Sequence, residues 1–305
     1  MTRSTFRAAV VQTPEGPDSI EIVDVPLTEP APGQVRVSVA AAPVNPVDLG
    51  VVNGVFHARG LIHQPERTGL GWEFAGSVDA IGPGVDVPLG VEVAGLIDGF
   101  DRDFGTYAEY LVISAADIAP VPDGLDLIRA ATVPLNGLAA MEVLDLLGDA
   151  PVGANRLLVT GAAGSLGGYL LSLAPGQGWD VTGLARTGDE AFVRSLGVAF
   201  IDQAESGWDA VADAAVLQQQ ALALVRDGGK FVGVQPGNEP ASERDITVTA
   251  IVTRPDGSRL AGLLARAAYG RLPTRVRAVL PLEQAGDAHR AMANGGVRGR
   301  FVLTP

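Results

Sequence analysis

The sequence predicts an α/β chain in two parts, a compact β barrel followed by a doubly wound parallel sheet. Three observations carry that prediction: a first half of short alternating strands, a second half in which strands and helices take turns, and a glycine-rich turn, LLVTGAAGSLGGYLLSLA at residues 157–174, near the start of that second half. At 305 residues with 47% hydrophobic and 19% charged side chains, the chain is long enough for two domains with cores of their own.

Up to about Ser114 the elements read as FRAAVV, SIEIVDV, QVRVSVAAAPV, EFAGSVDAIG, VEVAGL and TYAEYLVIS, with Pro and Gly between them. Val35-Arg36-Val37-Ser38-Val39 alternates with the period of a half-buried strand. From about Asp126 the pattern becomes LLVT, a helix from Ser165, DVTGLA, a helix near Glu190 to Leu196, AFID, WDAVADAA, a helix near Leu217 to Val225, and KFVGV. Parallel strands need long crossovers and helices supply them, so this alternation means βαβ units. After ITVTAIVT and a helix near Leu260 to Tyr269, the tail RVRAVLPLEQAGDAHRAMANGGVRGRFVL reads as strand, helix, strand, and is expected to return to the first domain. The expected division is 1–120 with 271–305 for the barrel and 121–270 for the parallel sheet.

The glycine-rich turn admits three readings: a phosphate cradle, a membrane span, or chance in a chain with 39 glycines. A span is disfavoured because Gly161, Gly164, Gly167, Gly168, Gly176, Gly178 and Pro175 interrupt it. The phosphate reading fits the context of strand, turn and helix. Val159 and Thr160 end a strand, Gly161 turns the chain, Gly164 admits a pyrophosphate, and Gly167 lets helix and strand pack closely. The helix from Ser165 then aims its first amides and positive dipole end at the phosphates, which makes residues 161–167 (Gly161, Ala162, Ala163, Gly164, Ser165, Leu166, Gly167) the expected cradle.

A net charge of −13 argues against nucleic acid or anionic lipid as partner. With no cysteine, disulfides and thiolate metal sites are excluded. His57, His63 and His289 show no metal-ligand spacing, so no metal site is expected. The start, MTRSTFRAAVVQ, does not read as a secretory signal, and a cytoplasmic location is expected.

Seven stretches together resemble the medium-chain dehydrogenase/reductase superfamily, in its zinc-free quinone oxidoreductase and enoyl reductase branch. They are AAPVNPVDLGVVNG, GLGWEFAGSVDAIGPGV, FGTYAEYLVIS, AATVPLNGLAAMEVL, LLVTGAAGSLGG, VRDGGKFVGV and PLEQAGDAHRAMANGGVRGRFVL, in order and over nearly the whole chain. The resemblance implies a GroES-like β-barrel domain carrying the substrate site, a Rossmann domain, a tail that completes the barrel, and a homodimer. Zinc-dependent relatives have Gly-His-Glu where this chain has Gly71-Trp72-Glu73. Without that Lewis acid, alcohol oxidation of the zinc type is not expected, and Trp72 is expected in the core.

After the second strand of the parallel sheet an acidic residue would hold the ribose of NAD; here Arg186 stands instead, which favours NADPH through a forked pair with its 2′-phosphate. Asp189 and Glu190, slightly later, keep NADH open, and Arg298 and Arg300 are weaker candidates for the same phosphate. The resemblance further points to Asn45, Asn136 to Ala139, Val234 and Gln235 around the nicotinamide. For Asn45, turn formation before Pro46 is the competing reading, and Asp48 is expected to order that loop. Relatives often have threonine in place of Ala139, and enoyl reductases often have tyrosine in place of Phe56, whose ring has no proton to give. Phe56 and the stretch Val55 to Thr68 are expected to line the substrate pocket. The expected activity is transfer of hydride from NADPH to a small quinone or enone. A reductase of enoyl thioesters or polyketide intermediates is the enzyme alternative, and a non-catalytic, crystallin-like NADPH-binding protein the alternative of another class.

Overall fold

The computed structural model describes residues 4–305. They fall into two units, the first running to Leu135 and including Arg254–Gly270 and Thr274–Pro305, the second comprising Asn136–Thr253 and Arg271–Pro273.

The first unit begins with β1 (Thr5–Val11), β2 (Ile20–Pro26) and β3 (Gln34–Pro43), then α1 (Pro46–Val52) and α2 (Val55–Ala58). It continues through β4 (Thr68–Gly69), β5 (Glu73–Ile81), β6 (Glu92–Leu96), β7 (Tyr110–Ser114), β8 (Ile118–Pro120) and α3 (Leu127–Ala130). β1 pairs antiparallel with β2 and β4. β3 pairs antiparallel with β5 and β7, β5 with β6, and β6 with β8. Val35, Val37 and Val39 of β3 enter the core with Leu70, Phe74 and Tyr107. On the opposite face Arg36 is also buried, because Asp79 and Glu29 accept its guanidinium at 3.0 Å each. The short helix α1 interrupts a half that reads as strands alone. Its cause is local: Pro46 suits the first helical position, and the Asp48 carboxylate accepts the Asn45 backbone N–H at 2.9 Å.

The second unit follows α4 (Pro134–Leu147), whose first two residues belong to the first unit, with β9 (Arg156–Thr160), α5 (Ser165–Leu173), β10 (Asp180–Leu184), α6 (Glu190–Ser195), β11 (Ala199–Ile201), β12 (Trp208–Asp213), α7 (Gln219–Leu222), β13 (Val225–Gly233) and β14 (Thr247–Ala250). All its strand pairs are parallel, in the order β11-β10-β9-β12-β13-β14. The helix expected from Leu217 to Val225 shrinks to the four residues of α7 because Val225 pairs with Trp208 and already belongs to β13. Lys230, the one lysine in the sequence, donates to the Leu147 carbonyl at 2.6 Å and so caps the C-terminal end of α4. Residues 127–147 have the length and hydropathy of a membrane span, and 67% of the tested window is buried within the protein.

The chain then returns to the first unit through α8 (Gly257–Ala268), β15 (Val276–Pro281), α9 (Ala285–Ala293) and β16 (Arg300–Thr304). β16 pairs parallel with β15 and antiparallel with β3, through Val302–Pro43 and Leu303–Ala42. The divisions expected at 120/121 and 270/271 therefore fall at 135/136 and 253/254. Packing moves them: α3 lies against β3 and β5, and α8 approaches β8 so closely that a Cβ at Gly257 would overlap the Ile118 carbonyl.

α9 buries His289 against the edge of the Tyr107 ring, with centroids 5.9 Å apart, and neither imidazole nitrogen meets a hydrogen-bond partner among the described residues. Desolvation lowers this histidine from 6.5 to about 4. Tyr107 donates to Asp48 at 3.0 Å, and burial raises Asp48 from 3.8 to about 6. The two groups act oppositely on stability. As pH falls from 6.5 towards 4 the unfolded chain takes up the histidine proton first, which weakens the fold; over nearly the same interval the folded chain takes up the Asp48 proton first, which strengthens it. Each contribution is about 3 kcal/mol, so they offset. His289→Leu removes only the first, and its stability relative to wild type should improve by about 3 kcal/mol between pH 7.5 and pH 4 in urea unfolding. A relative stability that does not change with pH would mean that His289 takes up its proton over the same pH range in the folded and the unfolded chain.

Candidate cofactor and acceptor site

In the second unit the strand order reverses between β9 and β12, and the crevice at the C-terminal ends of such a pair is where open parallel sheets bind ligands. Gly161 leaves β9 with φ +58°, and Ala162 and Ala163 are buried beneath the turn. Gly164 is the N-cap of α5 and no side chain caps that end, so the first amides of the helix are available to an anion. Gly167 is required by packing: a Cβ there would overlap the Gly161 carbonyl and stand 2.8 Å from the Ala162 Cα. Gly164 is different. Its added Cβ would meet only the Gly161 carbonyl, at 3.1 Å, and would otherwise project into open space. This is a cradle that a side chain would fill, and it fits a pyrophosphate. Ser165 and Leu166 open the helix half-buried.

Beyond β10, Arg186 is exposed and forms no ion pair with a carboxylate among the described residues. Its acidic rivals are occupied. Asp189 is buried, and Glu190 accepts the Arg194 guanidinium at 2.7 Å. Beyond β13, Val234 and Gln235 are half-buried, and Gln235 accepts from Gln218 and Asn238 at 2.9 Å each. Asn136 and Ala139 lie three residues apart on α4, Asn136 half-buried and Ala139 buried. Sequence reasoning missed Asp213 and Gln218. The available signal was an acidic residue ending the apolar strand WDAVAD, a position where burial demands partners.

In the first unit Asn45 is buried with both ends of its amide in use: Nδ2 donates to Glu73 at 3.0 Å, and Oδ1 accepts from Arg300 at 2.7 Å. Glu73 also accepts the Leu135 N–H at 2.8 Å and is ion-paired with Arg300. Arg300, a candidate for the cofactor phosphate, is thus drawn into a buried pair, although its Nε and Nη1 have no partner among the described residues. Arg298 donates to the Val297 carbonyl at 3.1 Å. Asp48 orders the loop, accepting N–H groups from Asn45 and Gly71 and the hydroxyl of Tyr107.

Trp72 is in the core, with the Arg102 guanidinium 4.3 Å above its ring. Its edge meets Phe100 at 4.9 Å, and Phe100 lies 4.2 Å from Phe56. Phe56 is half-buried over Gly50, where any Cβ would strike its ring. Its neighbour His57 contacts the Thr68 hydroxyl at 3.1 Å, and desolvation lowers its pKa below 6.5. His63 is exposed beside Asp101.

Residues 31–123 match the alcohol dehydrogenase GroES-like domain family, and residues 186–303 match the zinc-binding dehydrogenase family. No group of three or more His, Asp or Glu side chains among the described residues could hold a metal, so the donor set does not fit the zinc of that family description. The chain is 30% identical over 99% of its length to the polyketide synthase GfsB of Streptomyces halstedii, of which it spans 6%. It spans between 4% and 15% of the first polyketide synthases that it matches. It is also 27% identical over 89% of its length to the chloroplastic NADPH-dependent alkenal/one oxidoreductase of Arabidopsis thaliana, of which 72% is covered. The quinone oxidoreductase structure from Coxiella burnetii has the same fold, with a TM-score of 0.85, 24% identity and 99% of both chains covered.

Gly164→Val tests the cradle. The variant should stay folded, since its Cβ meets one atom at 3.1 Å, and should bind a nicotinamide dinucleotide at least about tenfold more weakly in calorimetry, because charge-assisted phosphate bonds are lost. Unchanged affinity in a folded variant would place the phosphates elsewhere.

Proposed function

Because the chain belongs to the medium-chain dehydrogenase/reductase superfamily, of its quinone oxidoreductase and enoyl reductase type, we propose that it is a zinc-independent, NADPH-dependent reductase of quinones or conjugated carbonyl compounds. The observation that carries the cofactor choice is the position after β10: Arg186 is exposed and pairs with no carboxylate among the described residues, while Asp189 is buried and Glu190 is bound to Arg194. A guanidinium so placed pairs with a 2′-phosphate, and no carboxylate there is free to hold an unmodified ribose. The Arabidopsis relative, an NADPH-dependent alkenal/one oxidoreductase, supports the same reading.

When bound, the cofactor supplies a hydride. The residues of this chain bind and position. The amides of α5 neutralise the pyrophosphate, Arg186 holds the 2′-phosphate, and Phe56 with Phe100 offers an apolar, aromatic surface to a flat acceptor. The proton that completes reduction comes from water in this reading. Asp48 and Tyr107 are fully buried, desolvation lowers the pKa of His57, whose Nε2 contacts the Thr68 hydroxyl, and Phe56 has nothing to donate. A quinone tolerates this, because hydride transfer leaves an anion stabilised by aromatisation. An enoyl thioester leaves charge on carbon and gains from a positioned acid.

A second reading, a reductase acting on enoyl or polyketide thioesters, is favoured by the match to polyketide synthases over almost the whole chain. Consumption of NADPH with a small quinone separates both from a binding protein without turnover.

Replacing Arg186 with Asp should reverse cofactor preference, weakening NADPH by at least about tenfold while sparing or improving NADH, because a charge-assisted pair becomes a repulsion. Equal dissociation constants in variant and wild type would refute this role. For the acceptor, wild type should turn over quinones far better than 2-enoyl thioesters, and Phe56→Tyr should raise kcat/KM for the thioester alone, by up to about 10². Efficient thioester reduction by the wild type would favour the second reading.

A further inference from the structure

The floor of the crevice between β9 and β12 holds a chain of polar side chains with a direction. Thr160 and Asp213, the last residues of their strands, are register partners, and both are buried. Thr160 donates its hydroxyl to Asp213 Oδ1 at 2.6 Å and accepts the Ala215 N–H at 3.1 Å. Asp213 Oδ2 accepts the Gln218 backbone N–H at 2.8 Å, which folds residues 214–218 back over the strand end. Val216 and Gln218 take φ of +58° and +55° within that fold. The Gln218 side chain then donates through Nε2 to Gln235 Oε1 at 2.9 Å, and Asn238 Nδ2 donates to the same oxygen at 2.9 Å. Two donors on one acceptor leave the Gln235 amide a single orientation. Its own NH₂ group, with two N–H bonds, makes no hydrogen bond among the described residues.

The topology says which part of a dinucleotide meets that group. The phosphate cradle follows β9 and Arg186 follows β10, on one side of the reversal; β12 and β13 lie on the other. A ligand with its pyrophosphate over the cradle and its 2′-phosphorylated adenosine toward Arg186 has its second nucleoside over the ends of β12 and β13. In NADPH the hydrogen-bonding group of that base is a carboxamide.

We propose that Asp213, acting through Gln218, is a positioning residue that holds the Gln235 amide with its N–H donors toward the carboxamide oxygen of the nicotinamide. The inference rests on the cofactor reading given above and adds a base-recognising element to it. The carboxylate sets the loop, the loop sets Gln218, and Gln218 turns Gln235.

Calorimetric titration with two ligands tests this: NADP⁺, and 2′-phospho-ADP-ribose, which keeps the phosphates and both riboses but lacks the nicotinamide. Gln235→Leu and Gln218→Leu should each weaken NADP⁺ by about tenfold, the loss of one buried hydrogen bond, and leave 2′-phospho-ADP-ribose unchanged. Asp213→Asn should follow the same pattern. Pairing either Gln218→Leu or Asp213→Asn with Gln235→Leu should weaken NADP⁺ no further than Gln235→Leu alone, because all three act through one contact. Equal weakening of both ligands, additive losses, or full NADP⁺ affinity in folded Gln235→Leu would each overturn the proposal. Should Asp213→Asn fail to fold, the two glutamine variants still decide. Wild type that binds neither ligand would overturn the cofactor reading itself.

Discussion

A buried ion pair between Glu73 and Arg300, residues 227 apart in the chain, ties β5 to β16 in the first unit. Such a pair by itself contributes little, because the desolvation of two charges consumes most of their attraction; it becomes firm only where further hydrogen bonds satisfy both partners. Asn45 and the Leu135 amide do this for Glu73; Arg300 has Asn45 as its further acceptor, and its Nε and Nη1 have no partner among the described residues. The same contacts bring together the start of β5, the start of β16, the loop before α1 and the start of α4. Each of these segments carries a residue that the sequence marks as functional or structural. Their mutual placement follows from a single carboxylate and its donors.

The second unit is built on a different principle. Its sheet is apolar through its middle, and its chemistry is confined to the C-terminal strand ends. Thr160 and Asp213 end β9 and β12, the uncapped first turn of α5 follows β9, and Gln235 follows β13. Polar groups that would be expensive inside the sheet are tolerated at its rim, where hydrogen-bond partners and water can satisfy them.

Much of this was legible in the sequence because it is local. The alternation in Val35 to Val39, the alternating strands and helices after Asp126, and the glycine turn from Gly161 to Gly167 each depend on neighbours within a few residues. What was not legible depends on distance. The boundary at Leu135 follows from α3 packing on β3 and β5, which no linker composition announces. α1, with seven residues, is too short for helical periodicity to register, and the helix expected near Leu217 to Val225 keeps only the four residues of α7. The sequence allowed Asn45 to be a loop residue or a ligand contact; its partners Glu73 and Arg300, 28 and 255 residues away, decide where its amide points. Arg300 looked free for a phosphate because its counter-ion lies so far back in the chain.

The insertion of β16 between β3 and β15 also orders events during synthesis. The unit whose strands emerge first is the last to be completed, because its sheet lacks an inner strand until Arg300–Thr304 has left the ribosome. The second unit has all its strands between Arg156 and Ala250, and it also takes in Arg271–Pro273. Domains ordinarily mature in the order of translation; here the last strand of the chain belongs to the sheet of the first unit. Until Arg300 arrives, Glu73 has no counter-ion and the residues around it must remain hydrated.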